Sequence, residues 1–446
     1  MKILHYALGF PPYRTGGLTK FCIDLMIQQA NEGDIVAMVW PGKIKFVGKK
    51  ISINRHQNVY IKNQNIMSFE IINPLPVPLD EGIENITAYT KNVDNDAFEE
   101  LIDNFNPDVI HIHTLMGLHK SFLETAKNKG IRLVFTAHDF FPICPKVTMY
   151  KNGTICKSVK NCEMCAMCNN TALSLNQIKI LQSSIYRKFK DSLLIKKLRK
   201  MHRDEYLSDL YICDNIQSKR TAEDYKRLRN YYYTLLKLMD IIHYNSELTK
   251  RVYELFFHFS NSCIIGITHS DIKDNRKKKH YRDNKLRIRY LGPQSDGKGY
   301  YLLKAALDEL WKKHNRFCLD VHFIPHEISP YMNIHGRYDY NELEKIFDDT
   351  DVLVVPSIWY ETFGFTVLEG LSYGVPVIIS DNVGAKDILV KGAGIIIENM
   401  TVEKLCKTLQ NLSVNKLSEM NNVIVNQQVI LDIECMSRQI KEKCYV

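Results

Sequence analysis

No run of eighteen apolar residues occurs anywhere in the 446-residue chain, so no bilayer-crossing helix is expected. The opening stretch MKILHYALGFPP meets Gly and Pro too soon to form the apolar core of a secretory signal. Together these absences lead to the expectation of a cytoplasmic protein, with at most a peripheral seat on the inner face of the cell membrane. No GxGxxG follows the first strand, no lysine signature of a pyridoxal-phosphate enzyme is evident, and no low-complexity tract or repeat occurs beyond a general βα recurrence. Acidic residues are in the minority, 50 Asp and Glu against 59 Lys and Arg, and the formal charge of +9 points to an anionic partner: a nucleotide, a nucleic acid or a membrane surface. Twelve cysteines without an export signal argue for reduced thiols or metal ligation rather than a disulfide framework.

What is present is an alternation of apolar strands and helical periods in two halves. Residues 1–270 read as an N-terminal unit, 271–285 as a charged linker, 286–422 as a second unit, and 423–446 as a helix crossing back to the first. In the first unit, strands are expected at Lys2–Ala7, Asp34–Val39, the VIHIHT run and Leu133–Asp139, with a helix over Leu18–Asn31. In the second, strands are expected at Leu286–Leu291 and Val321–Pro325, with a helix over Tyr300–Trp311. Asp351–Pro356 reads as a buried strand, Ser357–Gly364 as a loop, Phe365–Tyr373 as a helix and VPVIIS as the next strand. Such a loop places carboxylates, Glu361 and Glu369, beside a helix N-terminus whose free N–H groups and positive dipole end suit phosphate.

The string P-S-x-x-x-E-x-F-G-x-x-x-x-E-x-x-x-x-G-x-P-V-I, with Glu361 and Glu369 flanking seven residues, resembles the donor-site signature of retaining family-4 glycosyltransferases of the GT-B fold. The resemblance is strongest over Asp351–Ser380, fair over the first forty residues and Pro107–Asp139, and absent between 171 and 238. It implies an α/β fold of two Rossmann-like domains with an interdomain cleft, and a helical insertion in the N-terminal half. It further implies transfer of a sugar, with retention, from a UDP- or GDP-type nucleotide sugar to a hydroxyl of a glycan acceptor, with no cofactor needed for catalysis. By position in the motif, Lys298 would contact the donor diphosphate and Glu361 the sugar hydroxyls. Glu369 would take the ribose, His138 would stand near the transferred sugar, and His113 would contact the acceptor. Thr362, Phe363, Gly364 and Phe365 would line the phosphate and sugar, with Gly16 and Gly17 facing them from the other half. The family's arginine after the first glycine of the 292–299 loop is replaced here by Pro293 and Gln294. Asp349-Thr350-Asp351 has the form of a metal-binding D-x-D of a different fold, but it opens a buried strand.

Two segments fall outside the signature. Within 144–168, Cys156, Cys162, Cys165 and Cys168 have metal-ligand spacing, with Cys144 upstream; a structural zinc is the simplest occupant and an iron–sulfur cluster its rival. The helical insertion, 171–238, is basic: 14 Lys or Arg against 7 Asp or Glu over Asn176–Tyr232, interleaved with Ile178, Leu181, Ile185, Phe189, Leu193, Leu194 and Leu198. A basic amphipathic stretch suits an anionic membrane surface and, with it, a lipid-linked oligosaccharide acceptor of the surface-polysaccharide kind. No nucleic acid is expected. The competing readings are a zinc-dependent or nucleic-acid-binding protein built on the cysteines and basic helices, and a catalytically dead scaffold.

Overall fold

The structure, a computed structural model, describes every residue except 12, 63, 152, 157–161, 199–200, 202–219 and 282–284. The first sheet has eight strands: β1 (Lys2–Tyr6), β2 (Ile35–Pro41), β3 (Ser52–Ile61), β4 (Gln64–Ile72), β5 (Val109–Ile112), β6 (Arg132–Ala137), β9 (Ile241–Tyr244) and β10 (Ser262–Ile264), in the order β10-β9-β6-β5-β1-β2-β4-β3. A short hairpin, β7 (Tyr150–Lys151) with β8 (Thr154–Ile155), stands apart. The second sheet runs β13 (Met332–Ile334), β12 (Phe317–Val321), β11 (Leu286–Tyr290), β14 (Val352–Val355), β15 (Val377–Ser380), β16 (Gly394–Ile397), parallel throughout. Central strands such as β1, β5 and β14 are near-continuous apolar runs because helices cover both faces. The antiparallel edge strand β3 is polar and largely exposed, and its sequence, SINRHQNVYI, gives no apolar run to announce it.

Two Rossmann-like halves are therefore present, as the motif implied. In an open parallel sheet, ligands gather where the strand order reverses. Here those points are β1/β5 and β11/β14. The four loops leaving them carry Gly9–Gly17, His113, Gly292–Gly299 and Pro356–Gly364.

Three details differ from expectation. The strand expected at Val321–Pro325 ends at Val321, because Phe317–Val321 carries the buried residues and Pro325 follows a turn. The segment from 271 is fastened to the second half rather than solvated: Arg276 donates to the carbonyls of Ile424 and Gln428, and Lys279 donates to Phe347 O at 2.6 Å. The basic segment is a set of short helices, Leu175–Leu181, Ser184–Phe189 and residues 193–198, followed by Ala222–Leu236, which buries Tyr225, Leu228, Tyr232, Leu235 and Leu236. Arg199 and Lys200 lie outside the described residues. At the C-terminus, helix Ile433–Ile440 and the turn to Tyr445 pack on the first half: Arg132 Nε donates to Cys444 O at 2.7 Å and Lys441 pairs with Glu32 at 2.6 Å.

Candidate active site

Glycine lets the second half form its part of the cleft. Gly299 adopts φ 76°, and a Cβ there would lie 1.9 Å from Pro356 O; one at Gly297 would enter the Trp359 ring at 2.3 Å. The 292–299 loop can thus lie flat on Pro356–Trp359, held by the N–H groups of Ile358 and Trp359 on Gly297 O at 2.9 and 3.1 Å. This contact brings the Lys298 ammonium 2.6 Å from both oxygens of Glu361. Trp359 Nε1 and Ser357 Oγ donate to the same carboxylate at 3.2 and 3.3 Å. Burial alone would raise the Glu361 pKa; the Lys298 charge and these donors outweigh it and hold the carboxyl below its ordinary value.

Gly364, at φ 100°, caps the helix Phe365–Ser372. Among the described residues no acceptor meets the N–H groups of Gly364, Phe365 and Thr366, leaving a positive helix end open. From the other half, the helix Gly17–Asn31 starts against Phe365: a Cβ on Gly17 would meet that ring at 3.3 Å, so a larger residue would have to push the ring by a few tenths of an ångström. Two helix N-termini therefore face one cleft. Thr362 joins its walls. Thr362 Oγ1 donates to His138 O at 3.0 Å, and Thr362 O accepts from Ser246 Oγ at 2.6 Å and Thr249 Oγ1 at 3.0 Å. Phe363 is 3% exposed and its ring sits in the core, so this residue can offer the cleft only its backbone, the part of the 362–365 stretch that the resemblance implies.

Glu369 is 5% exposed, with Oε1 3.4 Å from His269 Nε2. His269 Nδ1 accepts the Asp271 N–H at 3.3 Å, which leaves the proton on Nε2, a buried atom that lies near Glu369 but makes no hydrogen bond to it. Tyr340 and Phe365 flank that imidazole edge-on at 5.3 and 5.1 Å.

His138 closes a buried polar chain in the first half. His243 Nε2 lies 2.8 Å from Ile265 O, which can only accept, so Nε2 holds the proton and Nδ1 accepts from Thr136 Oγ1 at 2.9 Å. Thr136 Oγ1 then accepts from His111 Nε2 at 2.7 Å, and His111 Nδ1 accepts from the Tyr445 hydroxyl at 2.7 Å. Tyr445 accepts from Gln29 Nε2 at 3.0 Å, and Gln29 Oε1 accepts from His5 Nε2 at 2.8 Å. His5 Nδ1 accepts from His113 Nε2 at 2.9 Å, and His113 Nδ1 accepts from His138 Nε2 at 3.2 Å. The direction of every bond follows from one carbonyl, and His138 ends with Nδ1 as a lone pair. Burial drives these imidazoles neutral, His5 and His243 down to about 4 and His138 to about 3. His138 is therefore a neutral hydrogen-bond partner and no source of positive charge. His113 is fully buried with both ring nitrogens committed, so it orients His138 and is not an acceptor contact. His5, His111 and His113 bring ring nitrogens within 4.8 Å of one another, yet all six nitrogens are spoken for by this chain.

Sequence reasoning missed Trp359, Ser357, His269 and Asp139. Burial pushes the Asp139 carboxyl up to about 6 beside His138. The position of Trp359 and Ser357 within four residues of Glu361 was the only available signal. Asp351 of the D-x-D is buried and binds Arg287 Nη2 at 2.6 Å, a structural role.

In the cysteine segment, Cys162 and Cys165 are buried, while Cys144, Cys156 and Cys168 are half-buried. Cys165 donates toward Cys162, whose pKa falls to about 7, and Arg229 lies 3.7 Å from Cys165 Sγ. Among the described residues no three of these thiols converge within 4.8 Å. The adjoining hairpin reaches the donor loop, where the Tyr150 hydroxyl donates to Asp296.

Residues 15–160 match Glycosyltransferase Family 4, and residues 271–428 match Glycosyl transferases group 1. An uncharacterized 42.6 kDa protein in a cps region of Klebsiella pneumoniae is 33% identical over 160 residues, 34% of this chain; the match spans 41% of that relative's length. Among solved structures, sucrose-phosphate synthase of Thermosynechococcus elongatus aligns with a TM-score of 0.56 and 12% identity over 99% of this chain and 97% of its own. Anabaena HepE in complex with UDP-glucose aligns with 0.54 and 11%, over 99% and 98%. A glycosyltransferase from Rickettsia africae aligns with 0.54 and 12%, over 99% and 97%. At these identities the likeness concerns the fold, which is GT-B.

Proposed function

We infer, from a chain with glycosyltransferase family segments in both of its halves, that the protein moves a sugar from a nucleotide diphosphate sugar to a hydroxyl of a glycan acceptor with retention of configuration. The observation that carries this reading is the Lys298–Glu361 pair beside the open helix end at Gly364, across the cleft from His138. Glycosyl transfer builds negative charge on the leaving diphosphate. A lysine and a helix N-terminus stabilise that charge without a divalent cation. Glu361, released from Lys298 by the incoming phosphates, hydrogen-bonds the sugar hydroxyls and favours the electron-poor ring of the transition state. Glu369 takes the ribose diol, and His138 accepts a sugar hydroxyl through Nδ1.

The UDP and UDP-glucose complexes of HepE support a nucleotide sugar as donor, and the relative in a cps region supports surface-polysaccharide synthesis. A lipid-linked acceptor at an anionic membrane is supported by a row of exposed apolar side chains, Ile185, Phe189, Leu193, Leu194 and Leu198, among Lys188, Lys196 and Lys197. A structural zinc or iron–sulfur cluster on Cys156, Cys162, Cys165 and Cys168 would hold the hairpin that reaches Asp296. A hydrolysis screen across UDP- and GDP-sugars, with thermal shift by UDP and GDP, tests the central claim. Release of a nucleoside diphosphate from one donor is the expected result. No hydrolysis and no stabilisation by either nucleotide would refute it.

A further inference from the structure

A cavity of about 380 Å³ opens in the first half, with no residue of 292–299 or 356–364 in its lining. Its walls are residues 8–11, 13 and 14 after β1, residues 40–42 at the end of β2, residues of β3 and β4, and the helices Leu175–Leu181 and Ser184–Phe189. Three cations line it, Arg14, Arg187 and Lys190. No carboxylate lines the cavity among the described residues; Glu70, behind its wall, is engaged on Oε1 by Arg187 Nη1 at 2.6 Å and Lys43 N–H at 2.9 Å, and on Oε2 by His56 Nε2 at 2.7 Å. Among the described residues the charges that act on Arg14 are those of Arg187 and Tyr186, with no carboxylate among them. Burial, and then the charge of Arg187, disfavour its ionised form. Two guanidiniums thus face a cavity with one acid behind its wall, an arrangement that an incoming anion relieves. The same walls carry aromatic faces: Arg187 stacks 4.9 Å from the Trp40 ring, and Lys190 lies 5.6 Å from the Tyr13 ring. The volume suits a sugar ring with an anionic substituent. The loop that forms one wall continues to Gly17, which abuts Phe365 in the donor cleft. The helices that form the opposite wall expose Ile185 and Phe189.

We propose that this cavity is the acceptor subsite and that Arg14, Arg187 and Lys190 bind a phosphate or diphosphate group carried by the acceptor sugar; this rests on the transferase reading above. The shared chemistry is a sugar phosphate. Its source is either a soluble sugar phosphate or the headgroup of a lipid-linked sugar.

Calorimetric titration of the full chain with inorganic pyrophosphate tests the site, with Lys298→Ala used to remove the donor-side diphosphate contact. Binding is expected to survive in Lys298→Ala and to weaken at least about tenfold in Lys298→Ala/Arg14→Gln. Lys190→Gln, on a solvent-facing helix, serves as the second variant if Arg14→Gln does not fold, with the same expectation. Equal binding in all three, or none in Lys298→Ala, would overturn the proposal. A second arm compares glucose 1-phosphate with a farnesyl-diphosphate-linked glucose in detergent. Tighter binding of the lipid form that Arg14→Gln abolishes assigns the pocket to a lipid headgroup. Equal binding of both forms, lost in the same variant, assigns it to a soluble phosphosugar. Binding of both forms that Arg14→Gln leaves intact would overturn it. Pyrophosphate binding at this site without any nucleotide-sugar hydrolysis would sink the transferase reading and leave the anion site standing, so the two failures are distinct.

Discussion

The Lys298 ammonium stands 2.6 Å from both carboxylate oxygens of Glu361, so the two groups assigned to diphosphate and to sugar neutralise one another before any donor arrives. A free lysine in this cleft would attract any anion, and a free Glu361 would repel the diphosphate. Paired, each is exposed only when a ligand bearing both a diphosphate and a sugar can satisfy the two together.

Glu361→Ala and Lys298→Ala are each expected to lower turnover at least about a hundredfold while far-UV circular dichroism is unchanged. Near-wild-type rates in both would sink the assignment. Stability carries a second signature. Glu361 is depressed in the fold, so its pairing stabilises above the ordinary glutamate range and is lost as the pH falls through its lowered value. Lys298→Met should therefore cost on the order of 1 kcal/mol at pH 7, and the gap from wild type should close in acid. Urea unfolding at pH 7 and at a series of progressively lower pH values reads both.

Asp139 behaves with the opposite sign. Its folded-state pKa is pushed up to about 6, so the folded chain holds a proton that the unfolded chain has given up. Between about pH 4 and 6 the fold loses stability as the pH rises, and the penalty is complete above that window. Asp139→Asn keeps the oxygen that accepts the Phe141 N–H at 2.9 Å and removes the charge. At pH 7 it should stabilise the protein by on the order of 2 kcal/mol, with no gain at pH 4. A variant that is less stable at pH 7 would contradict the burial argument.

The fold and the donor half of the site were legible because their signals are local. Asp351–Ser380 carries its apolar strand, its glycine cap and both carboxylates within thirty residues. The polar chain behind His138 was not legible, because it is assembled by register: His5 stands opposite His111 in the parallel pairing of β1 and β5, and Tyr445 arrives from the far end of the sequence. The resemblance implies an acceptor contact for His113; its ring is instead fully buried between His5 and His138. The edge strand Ser52–Ile61 escaped notice because an exposed antiparallel edge needs no apolar alternation on its outer face.

Tyr445→Phe tests that chain of hydrogen bonds. It removes the donor to His111 Nδ1 and the acceptor of Gln29 Nε2, leaving two buried polar atoms unpaired. A loss of about 1–3 kcal/mol in stability is expected. If the tautomer of His138 is set through this path, nitrogen chemical shifts of His138 should move from a single Nε2–H form toward a mixture. An unchanged His138 spectrum would show that its tautomer is fixed locally.

The cysteine segment admits a direct measurement. No three of these thiols converge within 4.8 Å among the described residues, so a metal would have to draw them together on binding. If it does, protein purified without chelator should contain close to one equivalent of zinc or iron, and Cys162→Ser with Cys168→Ser should lose it. Because the neighbouring Tyr150 meets Asp296 in the donor loop, metal loss should also weaken UDP binding. Less than a tenth of an equivalent of either metal would leave these residues as reduced thiols packed on the helix Ala222–Leu236.

The proposed membrane attachment would separate into an apolar and an ionic part carried by different side chains. Ile185 and Phe189 are 68% and 52% exposed, and Leu193 and Leu194 are 88% and 69% exposed, apolar surface that a membrane interface would cover. Inserting each into the interface is worth about 1 kcal/mol or more, so replacing all four by serine should weaken flotation with anionic vesicles by a hundredfold or more. Lys196 and Lys197 contribute through charge at about 1 kcal/mol each near an anionic surface, an effect that salt screens. Lys196→Glu/Lys197→Glu should therefore weaken binding at low ionic strength and matter little at high, whereas the serine variant should be weak at both. Unchanged flotation in both variants would move this face away from the membrane and make the helical insertion a packing element of the first half.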